Sequence, residues 1–414
     1  MRVDIYGAAR TRTEHPSTEF VDFLRAQCQQ LGVVLDLRAG QFIREDATRR
    51  VAVVLADKDS TWSDREEAGF AALLKSGVTV LPVVADAPSA AHLPKSLSHI
   101  NAFLKKSYGR VWPLCLADEV LSMAWLHRRA RKVFISYKRA DSSPIAMQLF
   151  ERFNCLGYET FLDEASVKRG ADFQRELKWS LNDADLLIVL ASPRFALSKW
   201  CMEEVTFCQR SSIGIALVNW PEEIYSGRTR LKFPGVSRTT GKPSIAQATM
   251  SDQEFVLKPT DFAGVRRTWA GDGNPDLTTR KLSAAALDRV IGMSARARTV
   301  AIRQRIYDLI PLAQKLVPNT VGVSHGDGLG DLTFDHPGNK RSFVRVLPFR
   351  PAAENIHQAC IAGAAHKVAG CFYAENDPDD PRAQALRWLA SGKRKVDSTV
   401  AEGNVWATYG STLL

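Results

Sequence analysis

The stretch "ALSKWCMEEV" at residues 196–205 sets an indole and two carboxylates directly after "ADLLIVLAS", one of the most apolar runs in the chain. Trp200 and Glu204 are four residues apart, a spacing that puts both on one face of a helix and lets them address one ligand together. A carboxylate so placed can stabilise developing positive charge, and an indole face attracts a cationic ring by ~1–2 kcal/mol. A second reading needs no ligand. Aromatics at helical spacing are more often core, and Glu203 and Glu204 near a helix start interact favourably with its dipole. Spacing alone favours that plainer reading, so the elements around the pair must decide.

"KVFISY" (132–137) reads as a short apolar strand followed by the polar turn "KRADSS". A helix is expected from about Pro144, with Ile145, Leu149 and Phe153 on one face. "GYETFLDE" is a second strand opened by Gly157, "ASVKRGADF" a loop, and Phe173, Leu177 and Leu181 mark a second helix. "ADLLIVLAS" suits a strand buried on both faces, the Trp200 stretch opens a third helix, and "IGIALVNW" (213–220) is a further buried strand. Strand alternating with helix predicts a flavodoxin-like α/β layout with a parallel sheet. Ligands of such sheets bind beyond the carboxyl ends of the strands, where Tyr137, Lys138 and Arg139 also fall.

"FISYKRAD", "GYETFLDEASVKRGADF" and "ADLLIVLASPRFALSKWCMEEV" resemble, in order and spacing, the TIR (Toll/interleukin-1 receptor) domain family, bacterial NAD⁺-hydrolase type, over about 130–222. That resemblance implies a glycohydrolase whose catalytic carboxylate is Glu204, four residues after the tryptophan of the third helix. Breaking the bond from ribose to nicotinamide passes through an oxocarbenium-like state, which a nearby carboxylate stabilises, directly or through the ribose hydroxyls. Nicotinamide leaves as a neutral ring, so no general acid is needed. Trp200 and Tyr137 would contact substrate, and Lys138 or Arg139 would reach the diphosphate, although a solvated turn accounts for these two cations equally well. Asp163 and Arg169, with Lys168 and Gly170, resemble the family's mobile loop, which gates the pocket and touches neighbouring protomers. NAD⁺ is then substrate, with no cofactor and no metal. The resemblance further implies homo-oligomers through TIR–TIR contacts and NAD⁺ depletion in antiphage defence. A non-catalytic TIR scaffold and an N-glycosidase for another nucleotide are the rival readings.

The expected architecture is a TIR domain flanked by two further α/β domains: 1–115, 130–222, a loop-rich connection over 223–280, and 281–414. In the first, "RVDIYG", "GVVLDL", "RRVAVVLAD" and "GVTVLPVV" read as strands and "EFVDFLRAQCQQLG" as a helix. Aligning "STWSDREEAGF" with "LSKWCMEEVTF" on their tryptophans puts Glu66 on Glu204, which suggests a duplicated unit. The same stretch is similar to nucleoside deoxyribosyltransferase-type domains through Glu67, Gly69, Phe70 and Ala71. Because the copy lacks counterparts of "SYKR" and "KRGADF", a non-catalytic assembly role is expected of it. Beyond 282 a helix interrupted near Gly292 and the strands "SFVRVLPF", "KVAGCFYAE" and "NVWATYG" are expected, with helices "AAENIHQACIAGAAH" and "DPRAQALRWLAS" between them. "SHGDGLGDLTFDH" (324–336), with His325, Asp327, Asp331, Asp335 and His336, reads as a surface turn before a metal site. Arg296, Arg298, Arg303 and Arg305, with "GKRKV" at 392–396, read as a solvated helix side before a nucleic-acid face.

At 414 residues the chain has room for two to four domains. A net charge of +10 leaves a nucleic acid, nucleotide or protein trigger open to the flanking domains without choosing among them. Seven scattered cysteines, no signal-like start and no run of ~18–20 apolar residues point to a cytoplasmic protein without a membrane span.

Overall fold

The computed structural model describes residues 1–7, 18–40, 42, 50–127, 130–162, 173–211, 213–221, 254–264, 280–317, 320–326, 329–349, 355, 359, 368–374 and 404–410. Asp163, Lys168, Arg169 and Gly170, the "GKRKV" segment, and nearly all of the two helices expected between 351 and 391 lie outside the described residues. The chain divides into two compact units, Met1–Ala130 and Arg131–Leu414.

In the first unit β1 (Arg2–Gly7), β2 (Asp36–Ala39), β3 (Arg50–Leu55), β4 (Thr79–Val84) and β5 (Phe103–Leu104) form a parallel sheet in the order β2-β1-β3-β4-β5. Residues 51–54 are all fully buried, as a strand covered on both faces requires. Its helices are α1 (Thr18–Leu31), α2 (Asp64–Lys75), α3 (Lys105–Tyr108) and α4 (Trp112–Met123). α1 buries Phe20, Leu24, Cys28 and Leu31 and packs on α4, which places α4 in this unit. The strand expected over "GVVLDL" starts later than the sequence suggests. Gly32, at φ +70°, terminates α1 while Val33 N–H donates to the Cys28 carbonyl, so extension begins only at Asp36.

The second unit repeats the topology. β6 (Arg131–Tyr137), β7 (Tyr158–Leu162), β8 (Leu186–Ala191), β9 (Gly214–Asn219) and β10 (Glu254–Val256) form a parallel sheet in the order β10-β9-β8-β6-β7. Counted along the chain, each sheet has the strand order 2-1-3-4-5. β10 comes from the connection read as loop-rich. The helices here are α5 (Arg139–Cys155), α6 (Phe173–Asn182) and α7 (Lys199–Arg210). α5 begins five residues before Pro144, against expectation. Asp141 and Ser142 N–H both donate to the Lys138 carbonyl, and the Ser142 and Ser143 hydroxyls back-bond to the Lys138 and Arg139 carbonyls. Proline this close to a helix start forfeits one backbone bond, a loss the serine-rich turn tolerates.

α8 (Ala284–Leu316) is a single helix of 33 residues, about 50 Å long, with no break at Gly292. It packs against β8, β9 and β10 on one side and against β13 (Lys340–Leu347) and β14 (Val368–Ala374) on the other. Burial on both sides outweighs the ~1 kcal/mol helix cost of glycine. This is also why the arginine row is solvated only in part: Arg296 is exposed and Arg303 half-buried, but the other two are not on a solvated face. Arg298 and Arg305 are 1% and 6% exposed, and Arg298 Nε donates to Asp185 Oδ2 at 3.1 Å. α8 lies so close to β9 that a Cβ on Gly214 would stand 2.7 Å from Ala301 Cβ.

β11 (Gly322–His325), β12 (Asp331–His336), β13, β14 and β15 (Asn404–Gly410) form a third sheet in chain order, parallel only between β13 and β14. "SHGDGLGDLTFDH" is therefore an antiparallel strand pair and not a simple turn. Asp327 lies outside the described residues; of the others, Asp331 holds Arg345 with two hydrogen bonds, Asp335 holds Arg341, and His336 Nε2 lies 2.7 Å from Ser342 Oγ.

Candidate active site

Ser198 caps α7, its hydroxyl accepting from Cys201 N–H at 3.4 Å. Cys201, Val205 and Cys208 form the inner face of the helix against the sheet, with Phe195, Leu187 and Val189 in the same core. Trp200 and Glu204 lie beside that stripe. Trp200 is 58% exposed, so the indole is not a core residue. Glu204 is half-buried, and six residues past the cap it stands beyond the first turn, where a helix dipole no longer favours a carboxylate. Its neighbour Glu203 is exposed and pairs with Lys199 at 3.7 Å on the outer face.

The amino-terminal half of α7 lies over the carboxyl end of β6. Ser136, the penultimate residue of that strand and 2% exposed, donates its hydroxyl to Glu204 Oε2 at 2.5 Å. The Cys201 thiol lies 3.6 Å from the Tyr137 carbonyl. The carboxylate thus sits where the first strand of a doubly wound sheet ends, the position at which such sheets bind ligands. One turn further along α7, burial pushes the Cys208 thiol well above its ordinary pKa. The Glu204 charge pushes the same way, while Arg305 of α8 pulls it down.

The other residues singled out by sequence are placed unevenly. The Tyr137 side chain is buried, Lys138 is half-buried with its ammonium donating to the Arg194 carbonyl at 3.3 Å, and Arg139 is exposed at the start of α5. Asp163 and Arg169 lie outside the described residues. Residues that sequence reasoning passed over tie the site's loops together. Asp141 has no exposed surface, accepts from Ser192 Oγ at 2.9 Å and pairs with the Arg194 guanidinium. The start of α5 is thereby fastened to the segment joining β8 to α7. Asp141 was hidden in a run of polar residues, but Ser136 left a signal: it is the one small polar residue in the otherwise apolar and aromatic run "VFISY".

In the first unit Trp62 donates to the His92 carbonyl at 2.9 Å and packs edge-on against Phe70. Glu66 closes a capping box with Ser63, and Glu67 accepts from Lys95 N–H at 2.8 Å and Ser96 N–H at 3.3 Å. Both acids serve backbone donors. Among the described residues no group of three or more His, Cys, Asp or Glu side chains is arranged to hold a metal, and no helix is long and apolar enough to cross a membrane.

Comparison with known proteins agrees with the fold of the second parallel sheet. A family model described as "TIR domain" matches residues 133–227. TMV resistance protein N of Nicotiana glutinosa is 31% identical over 74 residues, which is 18% of this chain and 6% of that protein's length. Among solved structures, proximal thread matrix protein 1 from the mussel byssus is 10% identical, with 53% of this chain and 85% of that one covered. Its TM-score of 0.20 is too low to carry a structural argument. With the strand order and the family match in agreement, residues 133–227 are a TIR domain.

Proposed function

We propose that this TIR domain is an NAD⁺ glycohydrolase with Glu204 as its catalytic carboxylate. The observation that carries the reading is a glutamate held at the carboxyl end of β6 beside an indole left open to solvent. NAD⁺ would lie across the strand ends with its pyridinium ring against Trp200 and its ribose over Glu204. The bond from ribose C1′ to the ring nitrogen breaks with its electron pair going to nitrogen, which leaves nicotinamide neutral. The cationic sugar is stabilised by the carboxylate until water adds to C1′ and releases a proton, giving ADP-ribose. Attack by the adenine ring in place of water gives a cyclic product. Tyr137, Lys138 and Arg139 at the end of β6, with Asp163 and Arg169, which follow β7 in the sequence, complete the proposed substrate contacts.

Self-association through TIR–TIR contacts would let one protomer's loop complete the next one's pocket, with the flanking domains sensing a trigger in antiphage defence. The scaffold reading gives the half-buried acid a structural part alone, as acceptor for the Ser136 hydroxyl, and assigns nothing to the exposed indole beside it. Purified protein is assayed for loss of NAD⁺, NADP⁺ and free nucleosides across a range of protein concentrations. Consumption of NAD⁺ rising steeply with concentration supports the proposal. Selective loss of a nucleoside transfers the chemistry to another substrate, and no loss of any of them leaves the scaffold.

A further inference from the structure

We propose that Ser136 is a positioning residue of this site, fixing the rotamer of Glu204 and holding its carboxylate in the ionised form. The inference deepens the hydrolase reading and rests on it. Ser136 follows the buried Val133, Phe134 and Ile135 and is itself 2% exposed. A hydroxyl so buried needs a partner, and its partner is Glu204 Oε2 at 2.5 Å. An ionised carboxylate can only accept, so the hydroxyl proton points at the acid, and that bond favours the charged form over the neutral one. It also restrains a long side chain that lies beside, and not within, the packed stripe of α7.

Several described groups lie near the acid. Cys208 is one turn along on the same helix, and Arg305 approaches Cys208 from α8. From the end of β6 comes the buried Tyr137, and from the residue after it the Lys138 ammonium, which is turned to the Arg194 carbonyl. From α6, Arg175 stacks on Trp179 of its own helix. The strands β8 and β9 contribute Leu187, Val189, Ala191, Ile215 and Leu217 to the core that α7 packs on, and the buried Asn219 at the end of β9 donates to Glu254 at 2.6 Å.

The test compares wild type, Ser136→Ala and Ser136→Cys in two ways: the pH dependence of kcat for NAD⁺, and the titration of the Glu204 side-chain carboxyl by ¹³C NMR, assigned through Glu204→Gln. Loss of the hydroxyl should move the acid limb and the carboxyl titration up by roughly one pH unit and lower kcat about tenfold. The thiol, a weaker donor of similar shape, should fall between, and it carries the test should the alanine variant fail to fold. In a Glu204→Gln background Ser136→Ala should change residual turnover no further. An unmoved limb and an unmoved carboxyl titration overturn the inference, as does a rate loss equal at every pH. A wild type without turnover removes the hydrolase reading, while the NMR titration still decides whether Ser136 governs Glu204.

Discussion

Around the start of each helix that follows the third strand of a parallel sheet, α2 and α7, a tryptophan and a glutamate lie four residues apart, yet the two units put them to different uses. Trp62 precedes the α2 cap, Ser63, and is anchored by its indole N–H, whereas Trp200 lies inside α7 and is 58% exposed. The tryptophan register is therefore not the helix register. Counted from the caps Ser63 and Ser198, the place of Glu204, six residues on, is held in the first unit by Gly69. A Cβ at Gly69 would meet the Phe42 ring at 2.3 Å, so an aromatic side chain fills the space a larger residue would need. The first strands differ in kind as well: "SY" at the end of β6 becomes "IY" in β1, and the hydroxyl that holds Glu204 is absent. One topology thus supports an open, acid-bearing strand end in one unit and a closed, aromatic one in the other.

The contrast can be broken or sharpened by substitution. Glu204→Gln preserves shape and removes charge, and should lower NAD⁺ turnover by about 10³-fold or more with an unchanged circular dichroism spectrum. Arg298→Ala probes the buttress behind the second sheet. It strips a buried cation from Asp185, and urea unfolding should show a loss of about 3–5 kcal/mol. Gly214→Ala pushes a methyl group into Ala301, and thermal unfolding should report about 1–3 kcal/mol of destabilisation. Smallest is Glu66→Ala, which should cost ~0.5–2 kcal/mol through the lost capping box and leave turnover untouched. A loss of turnover from that last change would erase the distinction between the two units.

The regular core was legible because buried parallel strands leave unbroken apolar runs: 51–55, 133–137, 186–191 and 214–219 were all visible. Trp200 and Glu204 were visible through their spacing and surroundings. What stayed hidden depended on tertiary context. Pro144 looked like a helix start because the hydrogen bonds formed by Asp141 and the serines cannot be seen in a string of polar residues. Gly292 looked like a break because a helix clasped between two sheets has no counterpart in local propensity. Arg298 looked solvated until its acidic partner Asp185, more than a hundred residues away in sequence, was brought against it. The sheared register between α2 and α7 was hidden for the same reason, since a shared tryptophan does not reveal where each helix is capped.

The most direct measurement is nicotinamide release from NAD⁺ by wild type, Glu204→Ala and Glu67→Ala, assayed side by side at matched concentration and fold. The account predicts release by wild type and by Glu67→Ala, with none above background from Glu204→Ala. Release undiminished in Glu204→Ala, or abolished only in Glu67→Ala, would contradict it.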